Sequence, residues 1–195
     1  MNNIYIRSLS KSYGAKKVLE NFSAEIPLNG KTVIMGESGC GKTTLINILM
    51  GFERSDGGEI EAMPEKISAV FQDDCLSEDF SSISNLRAVV GKKLSKEALS
   101  GYLFALGLAR DDIIRPVREL SGGMKRRVAI ARALVADSDF VIMDEPFKGL
   151  DEELRGKVVD FILDDIKNKN RGLLIITHDP DEIDLLFADK VILMD

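Results

Sequence analysis

Gly36-Glu37-Ser38-Gly39-Cys40-Gly41-Lys42-Thr43-Thr44 decides how the rest of this sequence is read. The apolar run Thr32-Val33-Ile34-Met35 before it reads as a strand, and Leu45-Ile46-Asn47-Ile48-Leu49-Met50 after it reads as a helix. A segment of the form G-x-x-x-x-G-K-[ST] between a strand and a helix is a phosphate-binding loop. Gly36, Gly39 and Gly41 let the backbone turn tightly and bring its N–H groups against an anion, while a helix starting near Lys42 adds the positive end of its dipole. Lys42 supplies a point charge for β and γ phosphates, Thr43 a hydroxyl for Mg²⁺, and Thr44 a further phosphate contact. Glu37, Ser38 and Cys40 complete the loop, so the whole run is the candidate phosphate site.

Three more apolar runs end in polar groups. Phe140-Val141-Ile142-Met143 leads into Asp144 and Glu145, and Leu173-Leu174-Ile175-Ile176 into Thr177 and His178, the one histidine of the chain. Ile67-Ser68-Ala69-Val70-Phe71 leads into Gln72. Continuous apolar runs fit buried parallel strands, and polar side chains at their carboxyl ends fit the ligand crevice of an α/β sheet. Asp144 is the candidate for holding Mg²⁺ through its shell, Glu145 for orienting and deprotonating water, and Gln72 for reaching a metal or an attacking water. Ser121-Gly122-Gly123, ahead of the helical run Val128 to Ala136, makes a second glycine-rich helix start with donors for an anion; a plain serine cap is the competing reading.

Around these motifs, residues 3–8 and 16–26 alternate like strands, with Ser10-Lys11-Ser12-Tyr13-Gly14 as the turn between them. Tyr13, alone in that polar turn, is either a surface aromatic or a ring that stacks on a base. Residues 82–107 carry helical spacing without evident chemistry and read as a small inserted helical lobe. A helix at about 151–169, another around 181–187 and a strand from Lys190 to Met194 close the chain. Strands alternating with helices predict an α/β fold with a mainly parallel sheet.

The 195 residues, 45% hydrophobic, suffice for one domain with subdomain lobes and a full core. A net charge of −6 and the lack of a long Lys/Arg cluster argue against nucleic acid as the main partner. The longest apolar runs fall far below the ~18 residues that cross a bilayer. The opening Asn2-Asn3-Ile4-Tyr5-Ile6-Arg7 alternates like a strand rather than a signal peptide, so the expected location is cytoplasmic. Cys40 and Cys75 lack C-x-x-C spacing and are expected as free thiols in a reducing compartment.

Taken together, these residues resemble one family, the nucleotide-binding subunits of ATP-binding cassette (ABC) transporters. Tyr13 resembles the aromatic that stacks on adenine, Gly36 to Thr44 the Walker A loop, and Gln72 the Q-loop glutamine that contacts Mg²⁺. Leu120-Ser121-Gly122-Gly123-Met124 resembles the signature motif, and Asp144 with Glu145 the Walker B aspartate and catalytic glutamate. Gly149-Leu150-Asp151 resembles the D-loop and His178 the switch histidine that contacts the γ-phosphate.

The resemblance implies a P-loop NTPase fold spanning residues 1–195, with an N-terminal antiparallel β subdomain and a helical subdomain at about 76–122. It implies MgATP sandwiched between two subunits, a homodimer in the simplest case, each lending Ser121 and Gly123 to the nucleotide held by the other. It also implies an integral membrane permease as partner and, indirectly, an extracytoplasmic solute-binding protein. The subunit would then sit at the inner face of the membrane. Met124 stands where the family most often has Gln, and Lys148-Gly149 replaces a small polar residue and alanine before Leu150-Asp151. With Asp195 directly after the final strand, no C-terminal regulatory domain is expected. The run Leu120 to Leu134 followed by Asp144-Glu145-Pro146-Phe147-Lys148-Gly149-Leu150-Asp151 is similar to bacterial importers of the nitrate, sulfonate and taurine type. The alternative function is a soluble ABC ATPase clamping nucleic acid or the ribosome.

Overall fold

The computed structural model describes residues 3–194. Two sheets carry the strands. In the first, β1 (Asn3–Tyr13), β2 (Lys16–Pro27) and β4 (Gly57–Glu61) lie in the order β2-β1-β4, with both pairings antiparallel. In the second, the order is β5-β6-β7-β3-β8, where β3 is Lys31–Gly36, β5 Ile67–Val70, β6 Phe140–Asp144, β7 Gly172–Thr177 and β8 Lys190–Met194. β6 with β7, β7 with β3, and β3 with β8 pair in parallel. This is the expected α/β architecture, antiparallel at the N-terminus and parallel in the core.

Every residue of β6 and β7 is buried, as their unbroken apolar sequences require. Each Ile, Leu or Val so buried stabilises the fold by about 1.5–3 kcal/mol, before entropy is charged against it. β8 lies at the sheet edge, where Val191 and Leu193 face outward.

The helices are α1 (Lys42–Leu49), α2 (Ser82–Val90), α3 (Lys96–Ala105), α4 (Gly122–Val135), α5 (Glu152–Lys169) and α6 (Asp181–Leu185). Ser81, Ser95 and Ser121 cap α2, α3 and α4 by accepting from the N–H groups of Ser84, Ala98 and Met124. The helical stretch expected at 82–107 is thus two helices, separated at Gly91, whose φ of +58° stops α2, and restarted at the Ser95 cap.

The expected turn over Ser10 to Gly14 is also corrected, because β1 continues through Tyr13 and the chain reverses at Gly14 and Ala15. Pairing with β2 slips between Ile6 and Leu9 and again on either side of Lys11, and Ser8 takes a φ of +48°. Ser23 Oγ accepts from the Ser8 N–H at 2.8 Å and holds this bulge. Each slip changes which face a residue presents, so the alternation that marks a strand is lost from the sequence while the ladder goes on.

The chain divides into two compact units. The first comprises residues up to Ile67, Asp139–Asp144 and residues from Asn170 onward; the second comprises Ser68–Ser138 and Glu145–Lys169. In the second, α3 reaches α5 through Tyr102, which donates to Asp165 Oδ1 at 3.0 Å and meets Phe161 edge-on at a centroid distance of 5.6 Å. Lys169 Nζ binds Asp165, the Tyr102 hydroxyl and the Leu134 carbonyl, tying α3, α4 and α5 together.

Candidate functional site

In the first unit the loop from Gly36 to Gly41 leaves the carboxyl end of β3 and enters α1. Gly41 is the N-cap at φ +103°, and a Cβ there would lie 2.8 Å from the Val18 carbonyl oxygen. A Cβ on Gly36 would lie 2.4 Å from the Met194 carbonyl oxygen. Only glycine fits either place. Unlike the serine-capped helices, α1 has no side-chain cap and no acid in its first turn, so its N-terminal donors and dipole stay directed at the loop.

Lys42 is buried, and its ammonium donates to the carbonyl oxygens of Gly36 (2.6 Å) and Glu37 (2.7 Å), with Cys40 Sγ at 3.8 Å. The charge is therefore fixed within the loop rather than free on a long stem. Thr43 is exposed and Thr44 half-buried.

Parallel pairing sets Met35 beside Thr177 and Ile176 beside Asp144, so β3, β7 and β6 end at one edge of the sheet. Asp144 is buried at the end of β6. His178, one residue past β7, lines a cleft of about 1040 Å³ together with Glu37, Ser38, Cys40 and Leu193. The sequence therefore placed the loop, Asp144 and His178 on the correct strand ends.

Tyr13 also belongs to this unit, with its ring half exposed. Its hydroxyl donates to Glu53 Oε2 at 2.5 Å and interacts with the Thr44 hydroxyl, while Lys11 Nζ stands 5.4 Å from the ring centroid and 3.1 Å from Glu53. The bond to Glu53 holds the Tyr13 phenol above its usual pKa, and the same bond holds the Glu53 carboxylate below its usual range, Lys11 helping. Lys11 and Glu53 carried no motif, so their part in fixing Tyr13 was not legible in the sequence.

In the second unit Glu145 has a φ of +46°, a left-handed backbone that costs a non-glycine residue about 1–3 kcal/mol and recurs at functional sites. Its carboxylate lies 3.7 Å from the ammonium of Lys148. Asp151 Oδ1 accepts from the Leu154 N–H at 2.9 Å, opening α5. Ser121 is the cap of α4, and a Cβ on Gly123 would lie 3.4 Å from the Gly149 carbonyl oxygen, so the Ser-Gly-Gly start of α4 and the Gly149-Leu150-Asp151 segment run close together.

Gln72 is exposed just past β5. Its carbonyl and those of its neighbours are held by arginines that the motif reading passed over. Arg126 donates to Phe71 O and Gln72 O, and Arg132 to Asp74 O and Cys75 O. A further buried arginine, Arg127, donates to the carbonyls of Leu106, Gly107 and Gly123, and burial lowers its pKa. Charged residues inside an otherwise apolar helix were the available signal, because a buried guanidinium must find acceptors.

Comparison with known proteins identifies the family and the fold. The model of the family described as "ABC transporter" matches residues 19–148. An aliphatic sulfonates import ATP-binding protein of Paraburkholderia xenovorans is 35% identical over 191 residues, covering 98% of this chain and 76% of that protein. A taurine import ATP-binding protein of Pseudomonas aeruginosa is 33% identical over 189 residues, covering 91% of this chain and 72% of that protein. A bacterial ABC transporter cassette solved as a dimer superposes with a TM-score of 0.86 at 23% identity, over 98% of this chain and 94% of that one, which speaks to the fold.

Proposed function

This chain belongs to the ABC transporter family, and on that premise we propose that two copies of it bind MgATP, close on it and drive an attached membrane permease that imports a small sulfonate-like solute. The observation that carries the reading is Lys42 held on the Gly36 and Glu37 carbonyls, with Asp144 and His178 at the ends of parallel strands of the same sheet. The relatives named for sulfonate and taurine import support the class of solute. No helix among the described residues is long and apolar enough to cross a membrane, and we place the subunit at the inner membrane face through the permease.

In this mechanism the loop N–H groups from Gly36 to Thr44 and the start of α1 bind the phosphates, and Lys42 balances charge on the transferring group. Tyr13 stacks on adenine. The Thr43 hydroxyl, the Gln72 amide and the Asp144 carboxylate are hard oxygen donors, the kind that suits Mg²⁺. When bound, Mg²⁺ would neutralise phosphate charge. Glu145 takes the proton of the attacking water and His178 hydrogen-bonds the γ-phosphate. Ser121, Gly122 and Gly123 of a second copy contact the same nucleotide, and Asp151 joins them across the dimer. ATP touches both halves only in the closed pair, so its extra contacts are what favour closure.

Glu145→Gln tests this directly. With MgATP the variant should form a stable dimer by light scattering, hydrolyse ATP about a hundredfold or more slowly than wild type, and copurify with a polytopic membrane protein from gently solubilised membranes. A variant that stays monomeric beside its permease, or that recovers only ribosomes or nucleic acid, would overturn the transporter reading.

A further inference from the structure

The segment after β5 is fastened to α4 with unusual completeness. From Phe71 to Cys75, four of five carbonyl oxygens accept from two arginines of that helix: Phe71 (2.5 Å) and Gln72 (2.6 Å) from Arg126, Asp74 (2.9 Å) and Cys75 (2.6 Å) from Arg132. The Asp74 carboxylate also lies 3.1 Å from Arg126 Nη1, a charge contact whose alignment falls short of a hydrogen bond. The Arg126 side chain is 8% exposed, so Asp74 is the counter-charge that makes its burial tolerable. Burial raises the Asp74 pKa, and Arg126, Arg132 and Lys125 act against that rise.

A planar guanidinium bridging two successive carbonyls fixes a backbone in a way that a point charge on a flexible stem cannot. Arg126 stands little more than a turn beyond the Ser121 cap, on the same continuous helix. Any displacement of that helix start is therefore passed to the Gln72 backbone through hydrogen bonds rather than through a compliant loop. We infer that Arg126, balanced by Asp74, is a positioning residue that sets Gln72 from the Ser121-Gly122-Gly123 helix, so that the glutamine and the glycine-rich helix start move as one body.

The inference rests on the role proposed above for Gln72 at the metal and γ-phosphate. If that role holds, loosening the clamp misplaces Gln72 without touching the loop that binds the phosphates. Its signature is a lowered kcat, with nucleotide affinity kept and a changed requirement for Mg²⁺.

The experiment makes Arg126→Gln, Arg126→Lys and Asp74→Asn in the full chain and measures MgATP hydrolysis, nucleotide affinity, Mg²⁺ dependence and amide exchange. For Arg126→Gln, kcat should fall about tenfold or more, as when an outer-shell partner of a metal ligand is removed, while KM for ATP stays near wild type and half-activation shifts to higher Mg²⁺. Arg126→Lys keeps the charge and should recover only a small part of the loss; Asp74→Asn should fall between Arg126→Gln and wild type. In the nucleotide-free protein, amides from Gln72 to Cys75 should exchange about tenfold faster in Arg126→Gln, as local opening becomes easier.

Wild-type kcat and Mg²⁺ dependence in Arg126→Gln would overturn the inference. So would full rescue by lysine, or a parallel fall in kcat, nucleotide affinity and melting temperature, which marks a merely structural role. Should the wild-type chain not hydrolyse MgATP, the proposed function fails, and unchanged exchange in Arg126→Gln would separately overturn the clamp.

Discussion

The ammonium of Lys42 lies 2.6 Å from the carbonyl oxygen of Gly36, the residue that ends β3 and opens the loop. The first and seventh residues of the loop motif are thereby joined across it, and the ammonium is held by the loop's own backbone carbonyls. Lys42→Ala should therefore remove a fixed charge without unfolding the chain. Hydrolysis should fall about a hundredfold, as when a transition-state donor is lost, and ATP binding should weaken by about 1.5–3 kcal/mol, the worth of hydrogen bonds to a charged group. Calorimetric titration and phosphate release check both.

Two loop glycines should respond differently to alanine. At Gly41 a methyl group meets the Val18 carbonyl at 2.8 Å and the Leu19 side chain at 2.9 Å, with φ at +103°; at Gly39 the φ is +92° but no atom lies within 4 Å. Gly39→Ala should cost only the backbone strain, about 1–2 kcal/mol. Gly41→Ala adds a clash with backbone and should cost clearly more. Urea unfolding of the two variants ranks them.

The Tyr13–Glu53 bond should set the limits of pH over which the tyrosine is held. The Glu53 pKa is lowered from 4.5, so its contribution is present above that value and is lost as pH falls through the lower folded value. The Tyr13 pKa is raised from 10.0, so its contribution is present below that value and is lost as pH rises through the higher folded value. Phenolate absorbance of wild type minus Tyr13→Phe should show a titration above 10.0, and Glu53→Gln should bring it down.

Cys40 lies in the loop with Lys42 Nζ at 3.8 Å, lines the cleft beside His178, and is a free thiol like the more exposed Cys75. In a Cys75→Ser background, a bulky maleimide on Cys40 should abolish nucleotide binding, and ATP should protect the thiol. Unchanged ATP affinity after complete labelling would refute this.

Much of the candidate site's placement on the fold was legible because it is local. The run from Gly36 to Thr44 names its own turn, donors and charge, and the apolar runs ending at Asp144 and His178 name the strand ends that carry them. The Lys11–Glu53 pair beside Tyr13, and Arg126 and Arg132 around Gln72, were not legible, because each contact joins residues forty or more positions apart.

The sequence by itself determined the class of fold, the phosphate loop and the strand ends that bear the acids and the histidine, since each follows from a short spacing whose physics is complete within a few residues. Only the tertiary structure decided that β1 runs on through Tyr13 and that Glu145 holds a left-handed backbone. It also decided that the guanidinium groups of α4 fasten the segment around Gln72. A bulge shifts the phase of a pattern, and a buried charge takes whichever acceptors the fold brings within reach; both depend on what lies across the molecule rather than along the chain.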